Sequence, residues 1–173
     1  CAIDDMVDAS AASVEVVPGA AVITDAYAER AVVGPAELVG IACSALDTYG
    51  NTLPASSIEL AVTPPMGVST LAAGVMVAYS AMSATLAGIY RVSCGVRGAT
   101  SGYDAMGTFV QVKEGLPATW SVSMDPRPCY RQGAVLPLHA AVYDAWGNAI
   151  RDAVVDVEAT PAEAVVADGP GRY

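Results

Sequence analysis

From Leu38 to Leu46 the chain alternates, placing Val39, Ile41, Cys43 and Ala45 on one face, the period-two signature of a half-buried strand. A tight reversal follows at Asp47-Thr48-Tyr49-Gly50-Asn51. There the Asp side chain can accept from amides downstream, while Gly and Asn tolerate the positive φ that such a turn requires. The next alternation puts Ile58, Leu60 and Val62 inward and Glu59 outward, and Thr63-Pro64 ends it. Further strands are predicted over Gly67 to Leu71, Gly74 to Tyr79, Gly88 to Val96 and Gly107 to Val112. In the third of these Tyr90, Val92, Cys94 and Val96 point the same way. Ahead of them, Val14 to Thr24 reads as an edge strand interrupted at Pro18-Gly19. Seven short strands divided by Gly, Pro, Asn and Asp turns within about 100 residues predict an immunoglobulin-like sandwich.

The same pattern returns 97 residues later, the distance from Asp47 to Asp144. Gly34 to Met76 lies against Arg131 to Tyr173 without a gap. Asp47/Asp144, Gly50/Gly147, Asn51/Asn148, Thr63/Thr160, Pro64/Pro161, Val68/Val165 and Gly74/Gly171 are identical pairs. The inward face of the first alternation is matched by Leu136, Leu138, Ala140 and Val142. That of the second is matched by Val155, Val157 and Ala159, with Asp156 outward. A repeat of this length is a whole domain. The chain therefore divides into a tether over residues 1–12, a first sandwich over 13–113, a linker over 114–118 and a second copy over 119–173, whose first strand is Thr119 to Met124. Because Tyr173 is the counterpart of Met76, the second copy is expected to be incomplete as given. Adding the offset to Val112 assigns the remainder to residues 174–209 of a longer polypeptide, with strand donation by a partner as the alternative.

Composition narrows the functional classes. The chain has 173 residues, 54% of them hydrophobic, and aromatics make up only 6%, which suits thin sandwiches rather than large helical cores. Its net charge of −10 lacks the basic footprint that nucleic-acid binding needs. The most apolar stretch, Leu71 to Tyr79, is about half of the ~18 residues required to span a bilayer. Of the four cysteines, Cys1, Cys43, Cys94 and Cys129, none stands in a CxxC or beside a histidine, which disfavours zinc and haem. The single histidine, His139, falls between inward Leu138 and Ala140 and so points outward. Asp47 with Asn51, and Asp144 with Asn148 and Asp152, place oxygens near a turn. They fall short of the six to eight ligands of a dedicated calcium site, and turn chemistry accounts for them. No nucleophile–base arrangement occurs, so no catalytic residue, cofactor or metal is expected.

The inward-alternating strand, Asp-x-x-Gly-Asn, short spacer and strand ending in Thr-Pro resemble the bacterial Ig-like domains of invasin-type adhesins, over Val14 to Val112 and again over Thr119 to Tyr173. The resemblance implies tandem β-sandwiches on an exported protein. It also implies a bridge between Cys43 and Cys94, which stand where many immunoglobulin domains join their sheets, and a tyrosine corner at Tyr90. Ala140 replaces Cys43 in the second copy, so that copy would lack the bridge. Cys129 is left to pair with Cys1, to stay free or to bridge outside the chain. A chain numbered from Cys1 resembles a mature bacterial lipoprotein, which implies lipid attachment at Cys1 on a tether reaching at most about 40 Å. The function so implied is a structural or adhesive cell-envelope module, a stalk, spacer or surface domain at the bacterial outer membrane or cell surface. It would have protein partners of the envelope, and no nucleic acid or small-molecule ligand is expected. An accessory subunit of a larger envelope assembly and a glycan-binding module are the alternatives.

Overall fold

A computed structural model describes residues 2–3, 6–7, 13–71, 80–98, 104–124, 129, 131 and 133–158. The chain is all-β. A two-residue ribbon, β1 (Ala2–Ile3) with β2 (Met6–Val7), lies within the segment read as a tether. Then come β3 (Ala21–Ala28), β4 (Val32–Val33), β5 (Val39–Asp47), β6 (Ile58–Thr63), β7 (Val68–Leu71), β8 (Ser80–Ala84), β9 (Gly88–Val96) and β10 (Thr108–Val112). They form two four-stranded sheets with orders β3-β5-β8-β7 and β4-β10-β9-β6. Every pairing in them is antiparallel except β4 with β10, which is parallel. This is the immunoglobulin-like sandwich, with the constant-type partition of strands between its sheets.

The alternation seen in the sequence sets the interior. Val39, Ile41 and Ala45 of β5 face Tyr90, Val92 and Cys94 of β9 and Val110 and Val112 of β10, all buried in one cluster. Cys43 and Cys94 are joined by a disulfide with a Cα separation of 5.9 Å, linking the two sheets through β5 and β9. Among the described residues Tyr90 is the largest fully buried side chain, and its hydroxyl donates to the Leu86 carbonyl at 2.8 Å. That is a tyrosine corner, tying the start of β9 to the turn that feeds it. Burial also raises the Tyr90 phenol above its ordinary pKa.

Several elements differ from the alternation reading. The first strand starts after Gly19 rather than before Pro18, and runs on to Ala28. Its inward residues are the small Ala26 and Ala28, while Val22 and Tyr27 are exposed, so hydropathy alone misplaces it. Strand β8 escaped the pattern because Ala81, Met82 and Ala84 are all buried and no alternation shows. The strand expected over Gly74 to Tyr79 lies outside the described residues. After β10 the chain forms an antiparallel hairpin, β11 (Pro117–Met124) with β12 (Leu138–Asp144), and then the second turn. Among the described residues 153–158 carry no assigned strand where one was expected at Val155 and Val157; its counterpart β6 exists by pairing with β9.

Candidate functional site

The two Asp-x-x-Gly-Asn turns are built bond for bond alike. Asp47 Oδ1 accepts from the amides of Tyr49 and Asn51 at 2.9 and 2.8 Å. Its Oδ2 accepts from the Asn51 side-chain amide and from the Gly19 amide, both at 2.9 Å. Asp144 Oδ1 accepts from Trp146 and Asn148 at the same two distances, and its Oδ2 accepts from the Asn148 side chain and the Gly115 amide, both at 2.8 Å. The backbone repeats as well: Asp47 N to Asn51 O and Asp144 N to Asn148 O are both 3.0 Å, and Gly50 N to Asp47 O and Gly147 N to Asp144 O are both 3.1 Å. Gly50 has φ +81° and Gly147 has φ +84°. The sequence marks Gly19 only as a strand interruption and Gly115 only as part of the linker; their role as donors to the turn aspartates was missed, although a glycine 28 or 29 residues before each aspartate was a readable signal.

Each carboxylate is thus filled by N–H donors, an arrangement that favours the ionised form. The Asn51 side chain first, then the Gly19 amide and the remaining donors, hold Asp47 at a pKa of about 2, against an ordinary 3.8. Burial alone would push Asp144 up, but the Asn148 side chain and the amides of Gly115, Asn148 and Trp146 outweigh it and bring this group also to about 2. With the folded pKa below the unfolded one, the stabilisation is complete above about pH 4 and is lost as the pH falls through that value towards 2. Urea midpoints at pH 5 and pH 2 should therefore fall further for the wild type than for the double variant Asp47→Asn/Asp144→Asn. Equal falls would show that these two carboxylates carry no linkage.

A Cβ built on Gly50 or on Gly147 meets nothing within 4 Å, so these glycines are needed for their dihedral angle and not for space. Gly50→Val and Gly147→Val should each destabilise by about 1–3 kcal/mol in chemical denaturation, whereas Asn, which tolerates the left-handed region, should recover most of that. A Val variant as stable as wild type would remove the turn's backbone requirement.

In one respect the turns differ. Asn148 is 9% exposed, and its side chain reaches the first sandwich. Its Oδ1 accepts from the Ala87 amide at 2.7 Å, and its Nδ2 donates to the Thr85 carbonyl at 2.8 Å. Those two backbone groups flank Leu86, whose carbonyl is held by Tyr90. Asn51, by contrast, is exposed.

Among the remaining candidates, Cys129 is an exposed free thiol and His139 is exposed. Cys1 lies outside the described residues. Among the described residues no group of three potential ligands could hold a metal ion, and no helix is long and apolar enough to cross a membrane.

Sheet order, inter-sheet disulfide and tyrosine corner together define an immunoglobulin-like domain. Among solved structures, the chain is similar to FdeC, an Escherichia coli adhesin, with a TM-score of 0.52 and 18% identity over 76% of this chain and 44% of that one. It is similar to InvD of Yersinia pseudotuberculosis with a TM-score of 0.54 and 18% identity, over 78% of this chain and 45% of that one. The chain thus spans under half the length of either structure. No family model and no curated protein matches it.

Proposed function

We propose that the chain is part of a non-catalytic cell-surface module in which tandem immunoglobulin-like domains are joined end to end as a stiff spacer, presenting an adhesive or structural surface of the envelope. The observation that carries this reading is the Asn148 clamp on Thr85 and Ala87, which fixes the second Asp-x-x-Gly-Asn turn against the end of the first sandwich. The bond-for-bond likeness of the two turns supports a second copy beginning near Gly115. So does the extent of the structural likeness. Residues 1–112 are 112 of 173, about 65%, and matches covering 76% and 78% must continue past β10. The adhesive part rests on the fold shared with an adhesin.

A spacer needs a stiff junction, and Asn148→Ala tests it. The expected result is faster hydrogen exchange at the Ala87 amide and a broader distribution of chain dimensions in small-angle scattering. Measured on the 173-residue chain, Asn51→Ala is the control, since it removes the matching bond to its own aspartate without reaching another domain in the described structure. If Asn148→Ala alters neither measurement beyond the control, the junction is not held by this clamp and the stiff-spacer reading fails.

A further inference from the structure

We infer that residues 13–16 are the closing strand of a further immunoglobulin-like domain lying before Gly19 in the same polypeptide, and that the exposed turn at Asn51 is the surface on which that domain docks. The inference rests on the tandem reading above and extends it in the opposite direction along the chain.

The first observation is a second match outside the 97-residue repeat. Val14-Glu15-Val16-Val17-Pro18-Gly19 parallels Val110-Gln111-Val112-Lys113-Glu114-Gly115. In both, two valines alternate around a polar residue, and a glycine follows three positions after the second valine. The two glycines do the same work, since their amides donate to Oδ2 of Asp47 and of Asp144. The segment entering the first turn therefore has the pattern of a β10 strand and its linker.

The second observation is exposure. Val110 and Val112 are 0% and 2% exposed because β10 closes the sandwich on β9. Val14 and Val16 are 83% and 79% exposed. β-Branched residues alternating with a polar one suit a strand with one buried face, and among the described residues nothing covers that face. A preceding domain's own sheet would cover it.

The third observation is the state of Asn51. In the second turn the same side chain spends its carbonyl oxygen and an amide hydrogen on the Thr85–Ala87 turn of the domain before it. Asn51 holds the same position and makes the same bond to its aspartate, and it is exposed. Its carbonyl oxygen and second amide hydrogen, which bond to none of the described residues, match a carbonyl and an amide two residues apart, the pair that a β8–β9 turn displays.

The test uses the natural polypeptide. Its coding sequence should continue upstream of Cys1 through another Asp-x-x-Gly-Asn turn, and its intact mass should include that domain. A processed chain that starts at a lipid-modified Cys1 overturns the inference. On the longer chain, Asn51→Ala should speed hydrogen exchange roughly fivefold to tenfold at the upstream amide equivalent to Ala87, the factor for one net hydrogen bond. An unchanged rate there overturns the docking even if the domain exists. Asn148→Ala, read at Ala87 in the same protein, separates the two levels. Acceleration there without an effect of Asn51→Ala leaves the tandem reading standing and refutes this one, while no acceleration at Ala87 refutes the tandem reading itself.

Discussion

Replacing Cys43 and Cys94 by alanine together should lower the free energy of unfolding by about 4 kcal/mol, the chain-entropy value for a bridge closing a loop of this length. The loop spans 51 residues and includes β6, β7 and β8, so without the bridge the unfolded chain regains freedom over half of the sandwich. The measurement is a urea titration of the double variant beside the wild type, and of the wild type with and without reductant. A midpoint unchanged in both comparisons would mean that the sheets are held by packing alone. A loss of similar size in both would assign the effect to the bond rather than to the two smaller side chains. The hairpin β11–β12 carries Ala140 at the repeat position of Cys43, so no equivalent bridge can form there.

Tyr90→Ala should be about as costly, roughly 3–5 kcal/mol, because it empties the largest fully buried site of the core. Tyr90→Phe keeps the ring and removes only the bond to the Leu86 carbonyl, so about 1 kcal/mol is expected. The pair distinguishes packing from the corner itself. If the alanine variant unfolds within about 1 kcal/mol of wild type, the ring does not organise the core as its burial implies. The phenylalanine variant has a second readout. Leu86 lies between the two backbone groups that Asn148 grips, so losing its anchor should speed exchange at Ala87 more than at the β9 amides. Uniform exchange across the domain would show that the corner serves the sandwich and not the junction.

Much of this was legible in residues whose partners are near in sequence or repeat at a fixed period. Val39, Ile41, Cys43 and Ala45 announced an inward face, and Asp47, Gly50 and Asn51 announced a turn, since the Asp47 Oδ1 accepts from amides only two and four residues on. Strand β3 was misread because its inward positions are alanines and its bulky Val22 and Tyr27 face out. Strand β8 was missed because burial on both faces leaves no alternation to detect.

The sequence by itself determined an all-β chain, a 97-residue repeat and the local part of the chemistry of its two turns, because those depend on hydrogen bonds within the turn and on the two-residue period of a pleated strand, whereas the Gly19 and Gly115 amides that complete the two carboxylates lie 28 and 29 residues away. The Cys43–Cys94 bridge that the resemblance implied is formed, while only the tertiary structure decided which strands share a sheet and that Asn148 is buried while Asn51 is exposed. The physical reason is distance along the chain: identical residues in identical turns acquire different roles when one of them meets backbone groups 61 and 63 residues away, and no local pattern encodes that meeting.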